Sequence, residues 1–246
     1  MSLALQMTLP PTSPLPLRAW RAWRHRGSRY LWHKALRRSL GRWPGWKRRL
    51  LYADPRDYWT LRGGPEYFRE QEDQPARDAR SQWLAARLAS YAPTSVLEVG
   101  CGYGKQLRAL HARLPGVPLV GLDFSPTQLD LARSYVADLP GVGLLLGSGT
   151  RLPFPDQSFD LVLTSAVILH NPPLAAEAIR LEVLRVARRY AAHNEDTDVT
   201  YNRYGYDTAA WYRGRGVTLA EAGPIATDTP PSPSQFCVAE VASWRP

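Results

Sequence analysis

Apolar positions along the chain alternate between two spacings. The runs Ser95-Val96-Leu97-Glu98-Val99, Pro118-Leu119-Val120-Gly121-Leu122-Asp123-Phe124 and Gly143-Leu144-Leu145-Leu146-Gly147 are too short for helices and are bounded by turn residues. They predict buried strands. Between them the spacing is helical. Over 77–91, Trp83, Leu84, Leu88 and Tyr91 share a face, and a second helix starts at Lys105. A third is entered through Ser125 as N-cap and Pro126 at the first helical position, with Leu129, Leu131, Ala132 and Val136 inward. A fourth strand ends at 161–164, and 174–188 is helical with Ile179, Val183, Leu184 and Val186 inward. Residues 189–193 predict a short fifth strand, 208–213 a short helix, and 217–227 and 235–244 two closing strands. Strands and helices in this alternation predict an α/β fold with a doubly wound parallel sheet.

The first predicted strand runs straight into Gly100-Cys101-Gly102-Tyr103-Gly104, with a helix behind. Glycines at such a turn let backbone amides approach a ligand closely, and the helix N-terminus adds partial positive charge. The second strand ends in Asp123, 19 positions after Gly104. An acidic side chain there can accept both hydroxyls of a ribose. Two nucleotide motifs fail: Lys105 stands where G-x-G-x-x-G needs its last glycine, and a Walker loop would need a longer spacer and a Ser or Thr after the lysine.

What remains, Glu98-x-Gly100-x-Gly102-x-Gly104, resembles the class I S-adenosylmethionine-dependent methyltransferases. The stretch Leu152-Pro153-Phe154-Pro155-Asp156-Gln157-Ser158-Phe159-Asp160-Leu161-Val162 is similar to that family's LPFPDxSFDLV segment, and Val167-Ile168-Leu169-His170 to its post-strand turn. The resemblance implies a Rossmann-like seven-stranded sheet whose last strand is inserted antiparallel, with S-adenosylmethionine as cofactor. It implies that Glu98, Gly100, Gly102 and Gly104 cradle the methionine and ribose, that Asp123 takes the ribose hydroxyls, and that Phe124 packs on the adenine. Ser148 and Gly149 stand where many relatives carry an adenine-binding Asp, and Ser165 closes the fourth strand beside the cofactor.

Charge divides the chain. Through Ala53 there are 12 Lys/Arg and no Asp or Glu, together with five of the nine tryptophans. The remainder carries 19 basic and 22 acidic side chains, a net −3. Residues 1–53 are therefore expected to form a basic Trp/Arg-rich helical extension, with 54–92 a lid and 93–246 the core. An anionic membrane surface, nucleic-acid phosphates, or plain packing on the chain's own domain would each suit this extension, the membrane before the nucleic acid. Two cysteines form no disulfide framework, and no paired His or Cys spacing suggests a metal. No basic start precedes an apolar run and no stretch reaches a span's length, which points to the cytoplasm or the inner face of its membrane.

Methyl transfer to a hydroxyl gains from a nearby base. His170, His193 and Glu195 are the candidates, with His193 expected to face the cleft from the end of the fifth strand. Tyr58, Trp59 and Arg62 in the lid, with Tyr201, Asn202 and Arg203 in the polar aromatic loop, are expected to meet a small polar acceptor such as a glycan or lipid-linked hydroxyl. Tyr204, Tyr206, Trp211 and Tyr212, too many aromatics to stand idle in solvent, are expected to help wall it. Two other readings stay open: an RNA methyltransferase held by the basic arm, and a non-catalytic S-adenosylmethionine-binding regulator. Asn171-Pro172-Pro173-Leu174 only imitates the base-methylating motif, lacking its aromatic.

Overall fold

The computed structural model describes residues 15–39, 44–225, 227 and 233–244. The proline-rich start, Trp43 and most of the proline link before the last strand lie outside them. Seven strands form one sheet in the order β3-β2-β1-β4-β5-β7-β6. They are β1 Val96–Val99, β2 Leu119–Asp123, β3 Val142–Leu146, β4 Phe159–Ser165, β5 Ala187–Asp196, β6 Leu219–Pro224 and β7 Ser234–Glu240. β1 pairs in parallel with β2 and β4, β4 in parallel with β5, and β7 runs antiparallel between β5 and β6. This is the expected mixed sheet with one inserted antiparallel strand.

Period-two alternation divides each central strand between two cores. Leu97, Val99, Val162, Ala191 and Cys237 face α8 (Pro173–Val186) and α9 (Thr208–Arg213). Val96, Leu161, Leu163, Ala192, Phe236 and Val238 belong to the other core, with α5 (Pro75–Ala89), α6 (Lys105–Arg113) and α7 (Pro126–Tyr135). Burial on both faces explains why these strands read as apolar runs. The chain leaves β1 in one direction for β2 and β3 and returns on the other side as β4. The carboxyl ends of β1 and β4 thus meet at a topological switch point, where such sheets bind ligands.

Four further helices precede the sheet: α1 Leu15–Ser39, α2 Pro44–Leu51, α3 Pro55–Arg62 and α4 Pro65–Glu72. α1 is two helical pieces joined at Gly27 (φ 75°, ψ 172°). Asp54 caps α3 by accepting from the Arg56 and Asp57 amides, and prolines open α3, α4 and α5. Leu51, Tyr52 and Tyr58 form a third apolar cluster with Leu36, Trp59, Tyr201 and Tyr204. Arg48 donates to the carbonyls of Thr200, Tyr201 and Arg203, and Tyr52 donates to that of His170 at 2.6 Å. Lys34 pairs with Glu66 at 2.9 Å. The residues around α2 are thereby tied to the loop beyond β5.

Two boundaries differ from expectation. β5 is ten residues long and includes Asn194, Glu195 and Asp196, which the sequence places in a loop. Pairing on both edges, with β4 and β7, holds these polar residues in the strand. The closing strands are shorter than expected: β6 carries a register shift between Leu219 and Glu221, and β7 gives way to a 3-10 turn at Val241–Ser243.

Candidate functional site

A cavity of about 1390 Å³ opens at the carboxyl ends of β1, β2, β4 and β5, beneath α3 and α4. Small-molecule sites span roughly 300–1000 Å³, so this one is larger than a single small ligand requires. It is lined by every candidate named from sequence except Gly104, His193 and Glu195.

At one end, the glycine turn folds back on β2. The amides of Gly100 and Cys101 donate to the Leu122 carbonyl at 2.7 and 3.1 Å. Gly102 N donates to Asp123 Oδ2 at 2.9 Å, and Ser125 N donates to Oδ1 at 2.8 Å. These two bonds leave the carboxylate with spare lone pairs. Burial nonetheless pushes the Asp123 carboxyl up, against the pull of the Ser125 and Gly102 amides. Glu98, also buried, has an Oε2 with no partner, and burial followed by the nearby Asp123 raises its carboxyl well above the usual range.

Gly100 shows why the turn needs glycine. Its φ is +76°, and a Cβ there would lie 2.4 Å from Val167 Cγ2. Gly100→Ala combines left-handed strain with a clash and is expected to destabilise by about 2–4 kcal/mol. For a chain of this size that lowers the melting temperature by roughly 4–16 °C, readable by calorimetry; an unchanged melting point would contradict a left-handed, closely packed turn at this position. Gly104 (φ +91°) does a different job: it starts α6 and packs toward Val136 rather than the cavity.

At the other end stands His170, on the 3-10 turn Ile168–His170. Its Nδ1 lies 2.6 Å from the Asn202 carbonyl oxygen. A carbonyl only accepts, so Nδ1 carries the proton and Nε2 keeps its lone pair. Burial lowers this imidazole to about 4, only partly offset by the Asn202 contact. The ring is therefore neutral at physiological pH. Trp59 packs edge-on to it, with centroids 4.6 Å apart. Tyr58 and Tyr201 share a hydroxyl contact at 2.8 Å, and Arg203 pairs with Asp196 and Asp198 at 2.9 and 2.8 Å. Arg62 pairs with Glu70 and lies over the Tyr67 ring. Ala166, in the wall between the two ends, holds φ +55°, a strained value for a residue with a Cβ.

His193 and Glu195 are the corrections. The sequence has His193 facing the cleft, but both ring nitrogens are engaged in the core. The network fixes the protons. Thr164 donates to Glu195 Oε1 at 2.7 Å, so His193 Nδ1 donates to the Thr164 oxygen at 2.8 Å, and Tyr212 donates to Nε2 at 2.6 Å. Burial, then the Arg180 charge, depresses His193 to about 3. Glu195 also accepts from the amides of Val167 and Leu169, and burial lifts it to about 7. This carboxylate anchors the turn that carries His170 instead of reaching the cavity. The aromatic loop is corrected likewise. Tyr206 and Trp211 flank the Arg180 guanidinium, Tyr212 is core, and only Tyr201 of these lines the cavity.

Among the lining residues not singled out from sequence, two carry orphaned oxygens. Gln128 on α7 and Asn194 on β5 each present a buried side-chain oxygen without a partner. Gln128 follows its N-cap Ser125 by three positions, a capping-box spacing that was the available signal. With Glu98 they give three unsatisfied acceptors around one cavity. Buried acceptors are normally hydrogen-bonded, so this wall fits a ligand rich in hydroxyl, amino or ammonium donors.

Comparison with known proteins agrees with this geometry. A methyltransferase-domain family matches residues 96–190. A demethylmenaquinone methyltransferase from Deinococcus radiodurans is 42% identical over 79 residues, 32% of this chain and 33% of that protein. A trans-aconitate 2-methyltransferase from Methylobacterium radiotolerans is 32% identical over 117 residues, 48% of this chain and 43% of that one. The chain thus spans less than half the length of these curated relatives. The solved structure of magnesium protoporphyrin IX methyltransferase from Synechocystis, with S-adenosylmethionine bound, shares the fold. Its TM-score is 0.57 at 18% identity, covering 85% of this chain and 96% of that one.

Proposed function

We propose that this chain, whose residues 96–190 match a methyltransferase-domain family, is a class I S-adenosylmethionine-dependent methyltransferase that methylates a hydroxyl of a small polar acceptor. The observation that carries this reading is the buried carboxylate pair at the ends of β1 and β2. Glu98 Oε2 lacks a partner and Asp123 has lone pairs to spare, beside a turn whose Gly100 leaves no room for a Cβ. These groups fit the donors of a sulfonium nucleoside. Glu98 and Asp123 would hold its hydroxyls, Gly100 and Gly102 would admit its tail, and Phe124, Ser148 and Gly149 would border its base. Gln128, Asn194 and Ser165 add polar contacts within the same cavity. When bound, S-adenosylmethionine supplies a methyl group already activated by the sulfonium.

The chain's own residues then have three tasks. Tyr58, Trp59 and Arg62 close one side of the acceptor space, and Tyr201, Asn202 and Arg203 the other. Enclosure excludes water and aligns the nucleophile. The bare Nε2 of His170 takes the proton from the acceptor hydroxyl, its orientation fixed by the Asn202 carbonyl and the Trp59 ring. A glycan or a lipid-linked hydroxyl suits this polar, aromatic enclosure.

Cofactor binding itself provides a test. Burial, with Asp123 close by, pushes the Glu98 carboxyl well above the usual carboxylate range in the free protein. Donors that arrive with the ligand favour the ionised form, so binding should release a proton and tighten as pH rises. Titration calorimetry with S-adenosylhomocysteine in two buffers of different ionisation heat should show proton release on binding. Glu98→Gln should abolish it. A wild-type heat independent of buffer would contradict the assignment.

A further inference from the structure

The N-terminal helices turn their indoles outward. Trp20, Trp23 and Trp32 on α1 are 48%, 53% and 68% exposed, and Trp46 and Leu50 on α2 are 55% and 54% exposed. These are the side chains left over once the helices have packed. Tyr30 and His33 of α1 are buried, while Arg48 and Tyr52 fasten the next segment to the core. Large apolar groups left in water this way mark an interaction surface.

Charge says what kind. Every ionised side chain through Ala53 is basic, against a net −3 for the rest of the chain. Arg24 sits 5.3 Å from the Trp20 ring centroid and Arg49 lies 6.0 Å from that of Trp46, so cations stand beside exposed indoles on both helices. Among the described residues no helix is long and apolar enough to cross a membrane. We propose that this face binds the surface of an anionic lipid bilayer, indoles and Leu50 seated among the headgroups and guanidinium groups on the lipid phosphates. Nucleic acid shares the phosphate chemistry, but an exposed Leu50 four positions from Trp46 offers it nothing to stack on. A headgroup boundary uses both. Arg37 and Arg38 of α1 line the cavity.

The experiment is co-sedimentation of the full chain with vesicles of phosphatidylcholine, with and without about one third phosphatidylglycerol, from about 0.05 to 0.5 M salt. A fluorescent single-stranded RNA is titrated in parallel. Binding is expected only to the anionic vesicles, and to fade with salt. Arg24→Ala combined with Arg49→Ala should weaken it roughly thirtyfold, at about 1 kcal/mol per charge. Replacing Trp20, Trp23, Trp32 and Trp46 by Ala should weaken it at least ~tenfold. Because these side chains are exposed, both variants should retain the wild-type circular dichroism and melting point. Four results would each overturn the proposal: no partition into anionic vesicles, equal partition into neutral ones, unchanged partition of the Trp variant, or tighter binding to RNA than to vesicles.

Discussion

Replacing Asp123 by alanine is expected to weaken S-adenosylhomocysteine binding by more than ~100-fold, measured by titration calorimetry. The carboxylate stands at the end of β2, with each oxygen already accepting one amide, from Gly102 and Ser125. Those bonds aim the remaining lone pairs and fix the glycine turn at once. Two charge-assisted hydrogen bonds to ligand hydroxyls contribute about 1.5–3 kcal/mol each, and 1.4 kcal/mol is tenfold in affinity. Alanine also strands the two amides, adding about 1–3 kcal/mol per group to the cost in fold stability. Asp123→Asn separates the effects, since it keeps one acceptor for an amide but loses the charge. A cofactor affinity that survives both substitutions would remove Asp123 from the site.

The second large effect is expected at His170. His170→Gln should lower kcat by about 10²–10⁴-fold on any acceptor the wild type methylates, while S-adenosylhomocysteine affinity stays within twofold. Glutamine can still donate to the Asn202 carbonyl, so the loop keeps its anchor and only the base is lost. The pH dependence follows from burial. A group held at about 4 is neutral and competent throughout the neutral range, so the rate should stay flat there. It should fall on acidification as the imidazole protonates through about pH 4. A rate that instead falls between pH 7 and 6 would belong to an ordinary exposed histidine and would contradict the buried, neutral ring.

How far the sequence revealed this site depends on where the information sits along the chain. The glycine turn and Asp123 were legible because their geometry is local: a strand, three left-handed positions and a helix within ten residues, then one carboxylate at the end of the next strand. The sheet was legible for the same reason, as its central parallel strands β1, β2 and β4 are buried and read as apolar runs; β3 reads the same way but, at the sheet edge, leaves Leu145 and Leu146 exposed. β5 was not. Its second half, His193-Asn194-Glu195-Asp196, is polar because the strand carries a buried network, Tyr212 to His193 to Thr164 to Glu195. The partner that holds it in the sheet, β7, comes some 40 residues later. Polar residues in a strand look like a loop until both neighbours are known, which is how His193 and Glu195 came to resemble cleft residues.

The aromatic loop misleads in a related way. Tyr206 and Trp211 suggest a ligand wall, yet they enclose Arg180 from a helix more than twenty residues upstream. Arg48 shows the converse. Nothing local distinguishes it from its basic neighbours, but it ties three carbonyls of the loop that shapes the acceptor space.

The most direct measurement is a crystal structure of the chain grown with S-adenosylhomocysteine. The account predicts the nucleoside in the crevice where β1 and β2 end, its ribose hydroxyls within hydrogen-bond reach of Asp123 and its tail over Gly100 and Gly102. An empty crevice, or the ligand bound elsewhere while Glu98 and Asp123 stay unengaged, would contradict it.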